Sequence, residues 1–177
     1  AYAVHETIVS DGVFPGYLFY LVLLILLVTF SWLYSLWPRR KHYKVLSIRR
    51  TKNLQDFKLR AIGKGIKYNP GQFALVRFPR LGREFHPFSI ASIGVDLRFI
   101  VKSLGDYTSK MDSIQIGDSV FVEGAYGRFN QESVAPQVWI AGGIGVTPFL
   151  GMMQTTMANV HLYYAVKERS DLVDLLE

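Results

Sequence analysis

The residues best placed to do chemistry lie in a glycine-rich turn in the C-terminal third of the chain. Gly142, Gly143, Ile144 and Gly145 follow the short apolar stretch Val138–Ala141. Glycines allow a tight turn after a strand and let backbone N–H groups come close to a pyrophosphate. The spacing is not the usual G-x-G-x-x-G dinucleotide fingerprint. The turn therefore predicts phosphate binding, and its ligand has to be identified from other motifs.

Three further motifs precede this turn along the chain. They are His86-Pro87-Phe88-Ser89, Lys102-Ser103-Leu104-Gly105-Asp106-Tyr107-Thr108 and Gly124-Ala125-Tyr126-Gly127-Arg128-Phe129. In the second of them, Gly105 permits close backbone approach, and the residues after it open a short helix whose end amides suit a diphosphate. Each motif alone also has an ordinary explanation, namely a strand start, a capped helix or an inter-strand turn.

Composition limits which kinds of chemistry remain. The chain has no cysteine, which excludes disulfides, thiolate nucleophiles, zinc–thiolate sites and cysteine-ligated iron–sulfur clusters within these residues. His5, His42 and His161 are scattered along the sequence rather than paired, so we predict no metal or haem site in this chain. Redox chemistry here would have to use a bound organic cofactor.

One uncharged apolar run dominates the N-terminal part. The stretch Tyr17–Trp37 carries no charged residue, and a helix of that length crosses about 30 Å of hydrocarbon. Pro38 ends the run, and the basic residues after it are typical of the cytoplasmic end of a span. We predict an extracytoplasmic flank at 1–13, a transmembrane helix at 14–38 in the cell membrane, and a cytoplasmic remainder. A cleaved signal peptide fits less well, because its basic region would precede a shorter apolar core.

Beyond the span the pattern changes to short β-type stretches separated by turns, which predicts a small antiparallel β-barrel at 42–134. The predicted strands are Val45–Ile48, Phe57–Ile62, Phe73–Phe78, Phe88–Ile93, Leu97–Lys102 and Ser119–Glu123. The stretch Leu97–Lys102 alternates only in part, and a short helix is expected at Tyr107–Asp112.

A second domain type is expected to begin at 136–177. We predict a strand at Val138–Ala141, a helix at Thr147–Met157 with Pro148 in its first turn, and a strand at Val160–Val166. Ser170 is expected to cap another helix. This order predicts parallel strands and the start of an α/β domain.

The four motifs, in this order and downstream of an apolar span, resemble the ferredoxin–NADP reductase superfamily. More narrowly, they are similar to its transmembrane branch, which contains ferric reductases and NADPH oxidases. The resemblance covers Tyr43 to the end of the chain. It implies that the barrel is an FAD-binding domain and that the α/β part is the start of an NAD(P)-binding domain.

The resemblance also implies roles for individual residues. Phe88 and Ser89 would take the ring-contacting and N5-side positions, with Pro87 between them and His86, and Ser89 and Thr147 would be the catalytic positions. His86 would lie near the ribityl or phosphate part, although the wider family has arginine there. The residues implied for the FAD diphosphate are Lys102, Gly105, Asp106, Tyr107 and Thr108. Those implied for NAD(P)H are Gly142, Gly143, Ile144, Gly145, Thr147 and Pro148.

The choice between NADPH and NADH stays open at this point. Lys167 and Arg169 would suit a 2′-phosphate, while Glu168 between them would suit an unphosphorylated ribose. A solvated loop of mixed charge explains the same three residues equally well.

The resemblance implies a membrane oxidoreductase that passes electrons from NAD(P)H through FAD to haem, and onward across the membrane to oxygen or ferric iron. The haem would lie on helices upstream of this chain, so the expected partners are the lipid bilayer, those helices and a nicotinamide nucleotide. One alternative is a single-span flavin reductase that feeds a soluble acceptor, and another is a non-catalytic membrane-anchored scaffold. Nucleic acid is not expected as a partner, because the basic residues cluster beside the span. Since family members continue for several more strands, we do not expect efficient turnover from this chain alone.

Overall fold

The structure is a computed structural model that describes residues 13–35, 40–131, 136–156 and 159–175, with side chains from residue 16 onward. It divides into two compact units, Ala1–Pro38 and Arg39–Glu177. Each unit is described by itself. His5 and the flank predicted at 1–13 lie outside the described residues, apart from the backbone of Val13, as do 36–38, 132–134 and Met157.

In the first unit a single helix, α1, runs from Val13 to Ser35. Its stretch Gly16–Ser35 has a mean hydropathy of 2.2, and all of its described side chains are exposed. The Thr29 hydroxyl donates a hydrogen bond to the Ile25 carbonyl at 2.8 Å, so this polar group has a partner within the helix. Length and composition thus suit a bilayer, where every backbone polar group must be paired within the segment.

The second unit begins with a six-stranded antiparallel sheet, as predicted. Its strands are β1 Arg40–Arg50, β2 Leu54–Ala61, β3 Phe73–Arg77, β4 His86–Ser89, β5 Leu97–Lys102 and β6 Ser119–Tyr126. They follow the order β4-β3-β6-β1-β2-β5, so β4 and β5 form the two edges. Between β5 and β6, helix α2 spans Asp106–Ser109 and a 3₁₀ turn spans Lys110–Ser113, close to the helix predicted at Tyr107–Asp112.

The barrel core comes from residues at alternate positions of these strands. Phe57 and Leu59 of β2 are fully buried, and Tyr43 and Val45 face them from β1. Complete burial of each such large apolar side chain contributes roughly 1.5–3 kcal/mol. This alternation is the signal from which the sheet could be predicted.

Strand β5 is buried on both faces, which explains its imperfect alternation. Leu97, Phe99 and Val101 belong to the barrel core, whereas Ile100 packs into a second apolar cluster around Trp139. Arg98 is buried as well, since the Asp56 carboxylate binds its guanidinium at 2.7–3.1 Å. β5 therefore separates two cores.

The second core belongs to the α/β part, whose two strands are parallel, as predicted. Its elements are β7 Gln137–Gly142, a 3₁₀ turn Gly143–Val146, α3 Thr147–Met153, β8 Val160–Ala165 and a 3₁₀ turn Arg169–Asp171. Two predictions are corrected. Helix α3 ends at Met153, and no helix begins at Ser170 within residues 170–175, because Asp171 turns into a buried ion pair instead of opening a helical turn.

Two glycines let the α/β part approach the barrel closely. A Cβ on Gly151 of α3 would stand 3.1 Å from the Ser92 carbonyl oxygen. Gly71 has a φ of +89°, and a Cβ there would lie 3.2 Å from Sδ of Met152 in α3. Helix α3 therefore rests directly on the turns of the barrel.

Candidate functional site

Strands β4 and β5 bring the first two motifs to neighbouring edges. Pro87 is tolerated in β4 because an edge strand does not need every N–H. Past the end of β4, the Ala91 amide donates to the Arg98 carbonyl at 2.8 Å and draws the two edges together. His86-Pro87-Phe88-Ser89 on one edge thus lies beside the segment that follows Lys102 on the other.

A ring stack joins these two motifs. The His86 imidazole lies over the Tyr107 ring with centroids 3.6 Å apart and planes 26° apart. The Tyr107 hydroxyl accepts a hydrogen bond from the Phe78 amide at 3.5 Å, and burial raises the pKa of this phenol, so it stays neutral. Both motifs therefore contribute to one wall.

Phe88 and Ser89 supply an apolar surface and a free hydroxyl next to this wall. The half-buried Phe88 ring packs against the barrel core, with its centroid 6.4 Å from that of Phe99. Within the described part of the chain, the half-buried Ser89 hydroxyl makes no hydrogen bond. The pair matches what the rim of a flat aromatic ligand requires.

The imidazole of His86 carries a polar atom that lacks a proper partner. Its Nε2 is buried and makes no hydrogen bond to any described residue, and its contact with Glu84 Oε2 is a long 3.5 Å. A buried polar atom without a partner costs free energy, and a ligand that supplies one removes that cost. His86 therefore fits a ligand with hydrogen-bonding groups.

The turn that opens α2 is shaped for close approach. Thr108 Oγ1 accepts hydrogen bonds from the Leu104 and Gly105 amides at 3.0 and 3.1 Å, so its hydroxyl is held inside the turn. A Cβ added to Gly105 would meet no atom within 4 Å. The open space above Gly105 is what a phosphate group would need.

The glycine-rich turn shows the same property at the end of β7. A Cβ added to Gly142, Gly143 or Gly145 would meet nothing within 4 Å, and only Gly143 among them has a positive φ, +50°. Protein packing therefore does not explain the other two glycines, whereas a ligand lying on the turn does. Thr147 is buried, and its hydroxyl donates to the Ile144 carbonyl at 2.5 Å, which closes the turn. Its catalytic role stays a prediction.

Lys102 is engaged in a contact that sequence reasoning missed. Its Nζ lies 2.6 Å from Oδ2 of the buried Asp171, whose Oδ1 accepts a hydrogen bond from Asn53 Nδ2 at 3.0 Å. These bonds tie the barrel to the α/β part. Lys102 remains a predicted phosphate ligand, but its charge is already balanced. No sequence signal separates Asp171 from the nearby charged residues Glu168 and Asp174.

The hydrogen bond from Lys102 lowers the pKa of Asp171, with help from Asn53. A carboxyl whose pKa is lowered in the folded state stabilises the fold above its ordinary pKa of 3.8, and that contribution disappears as pH falls through the lowered value. Asp171→Asn should therefore lower the thermal unfolding midpoint at neutral pH, by a margin that shrinks in acid. Melting curves against pH test this, and a margin that does not change with pH would contradict it.

The remaining predicted residues lie on the surface. Pro87, Asp106, Lys167 and Arg169 are exposed, and Pro148 is half-buried at the start of α3. Lys167 and Arg169 follow the carboxyl end of β8, and the glycine-rich turn follows the carboxyl end of the paired strand β7. Ligands of open α/β sheets bind at this end of the strands.

Comparison with known families decides the assignment. The family described as the FAD-binding domain matches residues 41–147, which is more than half of the chain and includes all four motifs up to Thr147. The chain belongs to this FAD-binding domain family. The match begins within β1 and ends at the first residue of α3.

Curated relatives of the domain are parts of electron-transfer systems. A probable dihydroorotate dehydrogenase B (NAD(+)) electron transfer subunit from Pyrococcus horikoshii is 33% identical over 101 residues, 57% of this chain and 38% of that protein. A propane 2-monooxygenase reductase component from Rhodococcus jostii is 30% identical over 137 residues, 69% of this chain and 36% of that protein. The chain thus spans well under half the length of either relative.

Solved structures agree on the fold. An Amycolatopsis cytochrome P450 reductase superposes with a TM-score of 0.69 at 25% identity, covering 77% of this chain and 46% of that one. A Neisseria gonorrhoeae ferredoxin NADP+ reductase with bound FAD and NADP superposes with a TM-score of 0.64 at 19% identity, covering 76% of this chain and 61% of that one. The antiparallel barrel therefore has the FAD-binding fold of ferredoxin–NADP reductases.

The residues of the FAD-binding domain fit the flavin nucleotide that the family implies. The buried His86 Nε2 without a partner, the unbonded Ser89 hydroxyl and the open space above Gly105 lie along the two joined motifs. None of the relatives and structures named above is a ferric reductase or an NADPH oxidase. The comparisons thus show the flavin-binding family, and the transmembrane branch remains a proposal.

Proposed function

We propose that this chain is the flavin-binding part of a membrane-anchored electron-transfer reductase that draws electrons from NAD(P)H. The observation that carries the proposal is the His86–Tyr107 stack, which joins the ring-binding motif to the phosphate-binding motif. The open glycine-rich turn after β7 supports the nicotinamide nucleotide as the second ligand.

FAD, when bound, would accept a hydride from the nicotinamide and pass electrons onward one at a time. Phe88 offers the ring an apolar wall, and the Ser89 hydroxyl offers it a hydrogen bond. His86 Nε2 and the Gly105 turn are available to the ribityl and diphosphate parts. The chain thus contributes binding and orientation, and hydride transfer of this kind needs neither a carboxylate pair nor a nucleophile triad.

The membrane location is proposed from the properties of α1. Its 20 residues from Gly16 to Ser35 are long and apolar enough to cross a bilayer, and the basic segment that follows suits a cytoplasmic membrane surface. We propose that the flavin domain is cytoplasmic and that haem on helices upstream of this chain accepts its electrons, with oxygen or ferric iron as the final acceptor. The motif resemblance to the transmembrane branch supports this acceptor.

A second candidate is a membrane-anchored reductase component that feeds a separate acceptor protein. The relatives favour it, because they are named as electron transfer subunits or reductase components. The two candidates differ in the native membrane. Haem absorbance that is reduced by NAD(P)H in membranes containing the protein supports the first candidate, and flavin reduction without any haem signal supports the second.

The flavin assignment itself can be tested at Ser89. Because its hydroxyl is unbonded in the described structure, Ser89→Ala should change the free energy of unfolding by no more than about 0.5 kcal/mol. One lost hydrogen bond to the flavin should slow its reduction by about fivefold. Stopped-flow absorbance of the flavin band measures the rate, with Ser103→Ala as a control for removal of an exposed hydroxyl. Purified protein that stays colourless when supplied with FAD would refute the proposed function.

A further inference from the structure

The outer surface of the barrel carries a row of residues that the flavin site does not use. Arg77 of β3, Phe121 of β6 and His42 of β1 occupy directly paired positions on three adjacent strands. All three point away from the core, because the flanking residues Val76, Val120 and Tyr43 are fully buried.

These side chains form a continuous stack with two more residues. His42 lies parallel to Phe121 with ring centroids 5.0 Å apart, and the Arg77 guanidinium sits 4.6 Å from the Phe121 centroid. On its other side Arg77 is 5.3 Å from the Phe85 ring, and Arg40 is 4.7 Å from that same ring. We name His42, Phe121, Arg77, Phe85 and Arg40 the cation–aromatic ladder.

The positive charge of the ladder is poorly neutralised. Arg77 makes no ion pair or hydrogen bond with any described residue, and its Nε is buried without a partner, as is Nε2 of His42. Among the described residues, the ladder's carboxylate contact joins Arg40 Nε to Glu123 Oε2 at 3.5 Å. By contrast, Arg60, Arg80 and Arg98 each pair closely with an aspartate at 2.6–2.8 Å. The ladder thus carries two arginine charges that the described carboxylates balance only weakly.

We propose that the cation–aromatic ladder binds the phosphate of an anionic lipid headgroup. This inference rests on the membrane anchoring proposed above, which puts the basic residues after the span, including Arg40 and His42, at the membrane surface. The Arg77 guanidinium lies within 5.3 Å of two aromatic ring centroids and has no anionic partner among the described residues, and a guanidinium suits the planar, bidentate recognition of phosphate. Lys41 and Lys44 on the same strand add charge that attracts an anionic leaflet.

An anionic lipid suits this surface better than an acidic protein segment does. The aromatic rings between the cations match the headgroup layer, where amphipathic aromatic side chains are favoured. Only four residues of sequence, 36–39, separate the apolar helix α1 from the first ladder residue. The same chain thus carries an apolar span and, a few residues beyond it, a cationic surface that an anionic leaflet would attract.

The test titrates the full chain, solubilised in neutral detergent, with water-soluble dihexanoyl phosphatidylserine in a calorimeter. Wild type should bind it in a salt-sensitive manner, and Arg77→Gln should weaken the affinity about fivefold, the usual contribution of one basic residue near a charged membrane. Lys64→Gln removes the same charge from an exposed turn and should bind like wild type. Arg77→Lys should restore only part of the affinity, because an ammonium cannot stack as a guanidinium does.

Four results would overturn the inference. The first three are equal affinity of Arg77→Gln and wild type for phosphatidylserine, equal binding of dihexanoyl phosphatidylcholine, and equally tight binding of inorganic phosphate alone. The fourth is an absence of lipid binding, which would leave the ladder to a protein partner. Flavin absorbance of the same samples reports the proposed function separately. Arg77→Gln should keep its FAD, and wild-type protein that binds FAD but no phosphatidylserine would refute only the lipid inference.

Discussion

Gly142→Val is expected to leave the fold intact and to slow the reduction of the flavin by NADH or NADPH about a hundredfold, the cost typical of displacing a reactant by about 1 Å. Gly142 has φ −119° and ψ 127°, a conformation that β-branched residues favour, and a Cβ added there would meet no atom within 4 Å beyond its chain neighbours. The valine would instead occupy the open space on the turn after β7. The substitution should therefore affect only a ligand that binds in that space.

The measurement pairs a thermal melt with stopped-flow reduction of the flavin in the same preparation. Gly143→Ala is the contrasting variant, because its φ of +50° disfavours any side chain and should cost about 1 kcal/mol of folding stability. Wild-type reduction kinetics in a stably folded Gly142→Val protein would show that the nucleotide does not bind at this turn.

Tyr107→Ala is expected to weaken FAD binding about thirtyfold. The change removes the stack that fixes His86 and the hydrogen bond to the Phe78 amide. An aromatic pair contributes about 1 kcal/mol beyond its buried area, and a hydrogen bond contributes about as much, which together give this factor.

Fluorescence titration of the apoprotein with FAD gives the dissociation constant. Tyr107→Phe keeps the ring and should stay within about fivefold of wild type, since it loses only the hydrogen bond. If the stack positions His86, then Tyr107→Ala and His86→Ala should not be additive in a double-mutant cycle. Additive effects, or an unchanged FAD affinity in Tyr107→Ala, would contradict a role for the His86–Tyr107 stack in FAD binding.

Strands with alternating or continuous apolar residues were predicted well from the sequence. Contacts between residues that are far apart in the sequence were not. Period-two alternation around Phe57 and Leu59 located β2, and the apolar strands beside the glycine-rich turn located β7 and β8 correctly. β4 proved shorter and earlier than Phe88–Ile93, because the chain then turns toward β5, where the Ala91 amide donates to the Arg98 carbonyl. Such a change depends on a contact with another strand, and local pattern cannot reveal it.

The candidate site shows the same division. The motifs named His86, Ser89 and Gly105, but the stack of His86 on Tyr107 could not be read from the spacing of residues 21 positions apart. The helix expected at Ser170 failed for a related reason. An aspartate after a serine is typical of a helix start, yet Asp171 is bound by Lys102 and Asn53, 69 and 118 residues earlier. Long-range electrostatics overrode a sound local prediction.

The close packing of Gly151 against the Ser92 carbonyl limits how far the α/β part can move relative to the barrel. If the α/β part had to rotate away from the barrel to admit the hydride donor, each turnover would separate Gly151 from Ser92. It would also expose the buried Asp171. Because position 151 has no side chain, α3 packs directly on the barrel. We therefore expect the α/β part and the barrel to move together as a rigid unit. The nicotinamide is therefore expected to reach the flavin through rearrangement of individual side chains, at a rate insensitive to solvent viscosity.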